Sequence, residues 1–406
     1  MFWDLKNKRG VAIIMSSIKI ETAERLKKLP PYLFEEIDMA KQKALKEGRP
    51  IIDLGVGDPD SATPDFVVDK LALAARETQN QKYAFNKGLR VLREKMAEWY
   101  RKRFGVILDP DTEILPLLGS KEGIGHIPLA FVNHGDCVLV PDPGYPPYNS
   151  GAIFAGGEVH FMPLLEKNKF LPDLGAIKKE VLQRSKLIHL NYPNNPTGAL
   201  ATKEFYKDVI SLSKKYNIIV SSDAAYSELS FDGNEPLSFL EIEGAKGVGI
   251  EFHSLSKTFN MTGWRVGMAV GNKDVLAGLG KVKANLDSGI FTAIQIASIT
   301  ALENADKVKK EMLKIYTERR DTFIKMLNNA GWKVPLPPAT FYVWAPVFGK
   351  YDSTSLAKAL LEKADIIATP GNGFGDAGEG YVRMALTVDT EKLKIAAERI
   401  KKAFFA

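Results

Sequence analysis

The most informative stretch of the chain reads Ser254-Leu255-Ser256-Lys257-Thr258-Phe259-Asn260-Met261-Thr262-Gly263-Trp264-Arg265-Val266-Gly267. It is flanked by two short apolar runs, residues 249–253 and 266–270, which predict buried strands. Lys257 therefore follows a strand end, with hydroxyls and the guanidinium of Arg265 a few residues away. Such groups hold phosphate, and a bound phosphate fixes the position of an aldehyde with which a lysine can condense. The stretch predicts a lysine that carries a phosphorylated aldehyde cofactor.

Outward from this stretch, short apolar runs alternate with helical patterns between about residues 110 and 275. In one helical pattern Thr202 is placed to cap a helix that carries Phe205 and Val209 on one face. Buried strands separated by helices predict an α/β fold, with a mostly parallel sheet covered by helices on both sides. The seven predicted strands are residues 114–118, 137–140, 158–162, 187–190, 218–221, 249–253 and 266–270.

The flanking segments have a different pattern. Residues 31–47 predict an amphipathic helix that ends at Gly48, and residues 294–329 predict one very long helix that ends before Gly331. The run Phe341-Tyr342-Val343-Trp344 then predicts a strand. The two ends together predict a second, smaller α+β domain. The predicted divisions are an N-terminal arm with part of the small domain (1–63), a large cofactor-binding domain (64–300) and a small C-terminal domain (301–406).

Length and composition describe an ordinary globular protein. The chain has 406 residues, of which 45% are hydrophobic and 26% charged, so it is long enough for two domains. The formal charge of +6 raises the question of nucleic acid. Lysines alternate with glutamates, as in residues 307–320, and this predicts a solvated surface with no nucleic-acid partner.

Cysteine and histidine usage limits the other classes of site. The single Cys137 excludes an intramolecular disulfide, and its apolar neighbours predict a buried residue in a protein of a reducing compartment. No apolar run approaches the roughly 18–20 residues of a membrane span, and the start of the chain has too short an apolar core for a secretory signal. These features predict a cytoplasmic protein. The histidines are not spaced as metal ligands, which predicts no metal site: His126, His134, His160, His189 and His253.

Chemically capable residues follow the predicted strands. In an open α/β sheet, ligands bind at the carboxyl ends of the strands, so residues just after each strand meet at one edge. These segments are Gly119-Ser120-Lys121, Pro141-Asp142-Pro143-Gly144-Tyr145, Asn191 to Gly198, Asp223-Ala224-Ala225-Tyr226 and Ser254-Leu255-Ser256-Lys257.

This set fits pyridoxal 5'-phosphate (PLP), with Lys257 as the amine that condenses with its aldehyde. The ring nitrogen must stay protonated for the ring to accept electrons, and Asp223 supplies the carboxylate. The ring oxygen needs the donors Asn195 and Tyr226, and the ring face needs Tyr145. The phosphate needs a helix N-terminus, hydroxyls and an arginine. The predicted phosphate-side residues are Gly119, Ser120, Ser254 and Arg265, and Lys121 and Ser256 are further cofactor-binding candidates.

The motifs Asn-Pro-Thr-Gly, Asp-x-x-Tyr and Ser-x-Ser-Lys-x-x-x-x-x-Gly-x-Arg, in this order, resemble those of the class I/II aminotransferases of PLP fold type I. The resemblance covers nearly the whole chain. It implies a homodimer with shared active sites, in which Tyr83 reaches the phosphate of the neighbouring subunit. It further implies that Gly57 and Asn195 lie at the substrate and that Arg383 clamps the substrate carboxylate. Lys257, once released from the cofactor, then shuttles the substrate proton.

Three further stretches resemble the LL-diaminopimelate aminotransferases, which exchange an amino group between LL-diaminopimelate and 2-oxoglutarate in lysine biosynthesis. They are residues 119–128, residues 140–146 and Leu286-Asp287-Ser288-Gly289-Ile290-Phe291. This resemblance implies amino-acid and 2-oxo-acid substrates. Lys121 either faces the substrate or solvates a helix start, and it is carried as both a cofactor-binding and a substrate-binding candidate.

Alternative activities remain open. Aspartate aminotransferases of the animal type resemble this chain but bind the distal carboxylate with an arginine shortly before the segment that matches Ser288. Residues 281–287 contain no arginine, whereas bacterial aspartate enzymes with a lysine matching Lys121 stay an alternative. PLP-dependent C–S lyases share the fold and cofactor set, so they are a second alternative. A binding protein without chemistry would not need the amine of Lys257.

Overall fold

The computed structural model describes residues 18–30, 33–84 and 87–406. The predicted start of the N-terminal arm, residues 1–17, lies outside this part, as do Pro31 and Tyr32 at the start of the predicted first helix. In chain order, the strands are β1 (Ile52–Asp53), β2 (Ile114–Leu117), β3 (Cys137–Asp142), β4 (Glu158–Pro163), β5 (Ser185–Asn191), β6 (Ile219–Asp223), β7 (Gly249–Ser254), β8 (Gly267–Gly271), β9 (Tyr342–Pro346), β10 (Ile366–Ile367), β11 (Thr369–Pro370) and β12 (Tyr381–Ala385).

The helices surround these strands. None of the helices within the described ranges combines the length and the apolar character needed to cross a membrane. In chain order, they are α1 (Glu24–Lys27), α2 (Leu33–Lys46), α3 (Asp65–Arg76), α4 (Arg90–Phe104), α5 (Ser120–Phe131), α6 (Pro146–Ala155), α7 (Lys179–Arg184), α8 (Lys203–Tyr216), α9 (Leu255–Thr258), α10 (Lys273–Leu286), α11 (Thr292–Glu303), α12 (Ala305–Ala330), α13 (Ser353–Ala364) and α14 (Thr390–Phe404).

The large sheet has seven strands in the order β2-β8-β7-β6-β5-β3-β4. All seven predicted strands are therefore confirmed, and the sheet is mostly parallel as expected. Only β8 runs against the others, because it pairs antiparallel with both β7 and β2. The prediction that all seven strands are buried is wrong for β4, in which Met162 alone is buried. As an edge strand, β4 has a neighbour on one side only.

Burial of both sheet faces explains why the strands read as continuous apolar runs. Along β5, Leu187 packs into one core cluster and Ile188 into the other. Along β3, Val138 and Leu139 divide in the same way. Cys137 is buried as predicted, and burial raises the pKa of its thiol. Successive side chains of a strand point to opposite faces, so each face needs its own apolar set.

The helix after β5 begins where the sequence predicts. The Thr202 hydroxyl accepts a hydrogen bond from the backbone N–H of Phe205 at 3.1 Å, which satisfies one of the free donors of the first turn of α8. Phe205 and Val209 are buried on its inner face. Asn217 then ends the helix in the left-handed conformation, with φ of 56°.

The long helix predicted over residues 294–329 is wrong as one element, since α11 and α12 are separated at Asn304. The side-chain amide of Asn304 donates to the carbonyl oxygen of Thr300 at 2.9 Å, and its backbone N–H bonds to Ala301 instead. The side chain of Asn304 thus occupies the Thr300 carbonyl oxygen, which the backbone N–H of Asn304 would use in a continuous α-helix. Gly331 ends α12 as predicted, with φ of 112°.

Two small sheets lie outside the large one, and the first of them joins the two ends of the chain. Strand β1 pairs in parallel with β10, and β11, β12 and β9 form an antiparallel sheet. Arg319 of α12 also pairs with Asp60 through both carboxylate oxygens, at 2.7 and 2.9 Å. The N-terminal loop and the C-terminal elements are therefore packed together. The divisions after residues 63 and 300 stay predictions.

Candidate active site

One edge of the large sheet collects the predicted residues. The strands that run in the common direction end there, and antiparallel β8 begins there, so Arg265 arrives just ahead of β8. A cavity of about 470 Å³ opens at this edge. Eleven predicted residues line it: Gly57, Ser120, Lys121, Tyr145, Asn195, Tyr226, Ser254, Ser256, Lys257, Arg265 and Arg383.

Three predicted residues do not line this cavity. Gly119 comes directly before α5, where a Cβ atom would overlap the guanidinium of Arg265. Asp223 is buried at the end of β6, with 5% of its surface exposed. Tyr83 follows a short turn at residues 78–81 and is 73% exposed. Its predicted contact with a neighbouring subunit stays a prediction.

The amine of Lys257 is held inside the cavity. Its Nζ donates a hydrogen bond to the carbonyl oxygen of Gly57 at 2.8 Å. Burial lowers the pKa of Lys257 to about 8, while the Asp58 carboxylate acts in the opposite direction. A larger fraction of the amine is therefore neutral near physiological pH than for a surface lysine. A neutral amine is the form that attacks an aldehyde.

Gly57 is required for this contact. A Cβ atom at position 57 would overlap the hydroxyl of Tyr342, which packs directly against the glycine. The absence of a side chain lets the backbone carbonyl of Gly57 reach Lys257 while Tyr342 fills the space beside it. The family resemblance implied that Gly57 lies at the substrate. The contact with Tyr342 explains why this position has no side chain.

The buried carboxylate of Asp223 is held by hydrogen bonds in a position where it could pair with a positive group. Its Oδ2 accepts a hydrogen bond from the hydroxyl of Tyr148 at 2.8 Å, and its Oδ1 accepts one from the backbone N–H of Ala225 at 3.2 Å. Burial raises the pKa of Asp223 to about 6, and both hydrogen bonds oppose this rise. A positive group placed against this carboxylate would also oppose the effect of burial and lower the pKa of Asp223. The carboxylate would in turn stabilise that positive group.

Arg383 and Asn195 form one unit at the other side of the cavity. The guanidinium donates to Asn195 Oδ1 at 2.9 Å and to the carbonyl oxygen of Gly55 at 2.6 Å. It also lies over the ring of Tyr342, 4.2 Å from the ring centre. Arg383 is 1% exposed, so its plane is fixed. Since Oδ1 of Asn195 faces the arginine, its Nδ2 is the donor left for a ligand.

The remaining donors suit an anion. Gly119 and Ser120 stand at the N-terminus of α5, where backbone N–H groups point outward. Arg265 has a φ of 58° and donates to the carbonyl oxygens of Thr262 at 2.8 Å and Leu118 at 3.3 Å. A non-glycine residue in this conformation is strained, and such strain concentrates at functional sites. The Ser254 hydroxyl accepts a hydrogen bond from the backbone N–H of Ser256 at 3.2 Å.

Two tyrosines at the site were not predicted as site residues from the sequence. Tyr342 lines the cavity, and its hydroxyl lies 3.1 Å from that of Tyr226. The segment that contains Tyr342, residues 341–344, was predicted only as a strand, and no motif in the neighbouring sequence indicates that it lines a cavity. Tyr148 lies about one helical turn after Tyr145 at the start of α6, and this three-residue spacing from a candidate residue was the available signal. In the described part of the chain, no group of three potential ligand side chains converges as a metal site would require.

Known proteins resemble this chain over nearly its whole length. The family described as "Aminotransferase class I and II" matches residues 49–400. The LL-diaminopimelate aminotransferase of Syntrophobacter fumaroxidans is 53% identical over 383 residues, which are 94% of this chain and 99% of that protein. The Aquifex aeolicus enzyme of the same name is 52% identical over 381 residues, 94% of this chain and 98% of that protein.

A solved structure extends the match to three dimensions. Substrate-bound BacF from Bacillus subtilis superimposes with a TM-score of 0.91 at 38% identity and covers 96% of this chain and all of that chain. The fold is therefore that of the fold-type I aminotransferases. The family match over residues 49–400, the sequence identity and the structural similarity all indicate the same family. This chain belongs to the class I and II aminotransferase family, and it is a transaminase.

Proposed function

We propose that this transaminase uses PLP to exchange an amino group between LL-diaminopimelate and 2-oxoglutarate, a step of lysine biosynthesis. The observation that carries the chemistry is that Lys257 and Arg383 line one cavity, at the sheet edge where β6 ends in the buried Asp223. The family is generally PLP-dependent. The choice of substrate is supported by relatives that share about half of their residues with this chain over nearly its whole length.

The residues present fit PLP from end to end. The cradle of Gly119, Ser120 and Arg265 suits the phosphate, because glycine at position 119 leaves space that the arginine occupies. The buried carboxylate of Asp223 suits a protonated ring nitrogen. When bound, PLP supplies an electron sink that lets bonds to the substrate Cα break. Tyr145 lines the cavity beside this position and offers its ring face.

Proton transfer is assigned to Lys257. Burial brings the pKa of its amine to about 8, so Nζ can both accept and return a proton near neutral pH. Its hydrogen bond to Gly57 holds Nζ inside the cavity. Asn195 and Tyr226 supply donors toward the ring oxygen, and burial raises the pKa of Tyr226, so its hydroxyl stays protonated.

Arg383 is proposed to bind the substrate α-carboxylate. Its planar guanidinium is anchored by Asn195 and Gly55, and a carboxylate can lie against it in a bidentate manner. A substrate held in this way would keep its amino group in the cavity that Lys257 also lines. The same contact would serve a C–S lyase, and the family match with the sequence identity to aminotransferases favours transamination over that alternative.

Lys121 and Tyr145 are proposed to face the distal end of the substrate. Both line the cavity, and residues 281–288 contain no arginine that would commit the pocket to a short dicarboxylate. A site for both diaminopimelate and glutamate needs donors that serve either distal group. Aspartate aminotransferase activity is the alternative that a substrate comparison must exclude.

A homodimer with shared sites is also part of the proposal. Tyr83 is 73% exposed and does not line the cavity of its own subunit. In a two-fold dimer, the same surface of each subunit meets the other, so a residue can serve its partner's site. Mixing inactive Tyr83 and Lys257 variants should restore about a quarter of the sites through random exchange. No recovery after confirmed exchange would refute sharing. The cytoplasmic location stays a prediction.

A screen of amino donors tests the proposed activity. The purified protein is assayed with 2-oxoglutarate and LL-diaminopimelate, aspartate, alanine or aromatic amino acids, and LL-diaminopimelate should be the fastest donor. Faster turnover of aspartate would replace the assignment with the aspartate alternative. Borohydride should fix the cofactor to the peptide that contains Lys257, and labelling of another lysine would contradict the cofactor assignment.

A further inference from the structure

The hydroxyl of Tyr148 is the side-chain donor that holds the Asp223 carboxyl. It lies 2.8 Å from Oδ2, and among the described residues the backbone N–H of Ala225 donates to Oδ1 at 3.2 Å. We propose that Tyr148 is a positioning residue, which keeps Asp223 ionised and aimed at the ring nitrogen of the cofactor. This inference rests on the proposed use of PLP and assigns a role to a residue outside the cavity lining.

The ring of Tyr148 is fixed from two sides. On one side it stacks on His189, with ring centres 4.9 Å apart and planes at 23°. On the other side Tyr145 meets it edge-on, with ring centres 5.8 Å apart. His189 is itself held, because its Nδ1 lies 2.9 Å from the Ser221 hydroxyl. With no part of Tyr148 exposed, its hydroxyl has no room to leave Asp223.

The charges around Tyr148 leave the hydroxyl as a neutral donor. Burial raises the pKa of Tyr148 well above its usual value, with Asp223 adding to the rise, so the phenol stays protonated. Burial lowers the pKa of His189 to about 3, so the stacked ring carries no charge that would compete for Asp223. From β7, His253 lowers and Glu251 raises the pKa of Asp223, both by less than Tyr148 lowers it.

The hydrogen bond from Tyr148 affects whether the proton between Asp223 and the cofactor lies on the ring nitrogen or on the carboxyl group. Burial alone pushes Asp223 toward its neutral form, and a neutral carboxyl cannot keep a ring nitrogen protonated. A hydrogen bond to the ionised carboxylate opposes that change. Loss of the Tyr148 hydroxyl should therefore make Asp223 a stronger base and draw the shared proton from the ring nitrogen toward Oδ2.

The test uses the full-length protein loaded with PLP labelled with ¹⁵N in its ring. Nuclear magnetic resonance of the bound cofactor reports the protonation of the nitrogen across a pH series, in wild type and in Tyr148→Phe. The variant should shift the ¹⁵N signal toward the neutral ring. In the cofactor-free protein, the acid dissociation constant of Asp223, read from its ¹³C carboxyl signal and assigned with Asp223→Asn, should fall about tenfold.

Tyr206→Phe is the matched control. Tyr206 is 1% exposed, so it is buried like Tyr148, but it is not among the groups that shift the pKa of Asp223. This control should leave both signals unchanged. If Tyr148→Phe does not fold, His189→Gln removes the stacked ring and should move the signals in the same direction. Bound PLP with unchanged signals in the Tyr148 or His189 variant overturns the positioning role, whereas failure of wild type to bind PLP overturns the proposed function instead.

Discussion

Replacing Arg383 with lysine should weaken binding of every substrate by a similar factor. The side chain is 1% exposed and its two terminal nitrogens donate to Asn195 Oδ1 and the Gly55 carbonyl oxygen. A lysine keeps the positive charge, but one ammonium cannot satisfy these two acceptors and both oxygens of a carboxylate at once. The change therefore removes a bidentate contact and also leaves buried acceptors without their donor.

The size of the loss follows from the burial. Truncating one partner of a buried, hydrogen-bonded charge pair costs about 2–5 kcal/mol. Because lysine keeps the charge, the lower end is expected, and 2 kcal/mol corresponds to a factor of about 30 in kcat/KM. The factor should be alike for LL-diaminopimelate, glutamate and 2-oxoglutarate, because all present the same α-carboxylate group.

Steady-state kinetics with each substrate measures this effect, and Arg320→Lys provides the control. Arg320 is 2% exposed and pairs with Asp232 through both carboxylate oxygens, at 2.7 and 2.9 Å, but it does not line the cavity. Its replacement should lower stability without changing kcat/KM per folded protein. A loss in Arg383→Lys confined to one substrate, or equal losses in both variants, would refute the carboxylate clamp.

Four further predictions follow from the same geometry. Capture of PLP by the cofactor-free protein should accelerate with pH and level off above about pH 8, as Lys257 loses its proton; a flat stopped-flow absorbance profile would contradict the lowered pKa. Asp223→Ala should still bind PLP but lose orders of magnitude in turnover, and near-normal rates would point to another acid. Gly57→Ala should destabilise the protein by about 1–3 kcal/mol in denaturant unfolding, because its methyl group overlaps Tyr342, and Tyr342→Phe in the same chain should recover part of this loss. Lys121→Ala should change the order of preference among amino donors in the substrate screen, whereas a uniform loss would place Lys121 at the cofactor.

Much of the large domain could be read from local patterns. Strands such as β3 and β5 pack on both faces, so they appear as short continuous apolar runs. The parallel arrangement then brings the residues after these strands to one edge, and most of the candidate site follows from that rule. Thr202 could be predicted as a cap because capping depends on atoms within one turn.

Features that depend on contacts between distant segments needed the structure or the resemblance. The break at Asn304 depends on whether a side chain or the next turn takes the Thr300 carbonyl, and the helical pattern is the same in either case. Exposure of β4 follows from its place in the strand order, which its own sequence does not contain. The position of Arg383 was implied by family resemblance alone.

The sequence by itself therefore determined the α/β class, the seven strands and the chemical types of group at the sheet edge, because hydrophobic periodicity and the residues that directly follow a strand are local features of the chain. Only the tertiary structure decided that Tyr342 excludes a side chain at Gly57 and that Tyr148 holds Asp223. Tyr342 is 285 residues from Gly57 along the chain and Tyr148 is 75 from Asp223, by their residue numbers. Contacts at such separations are set by how the sheets and helices pack against each other, and no local pattern encodes that packing.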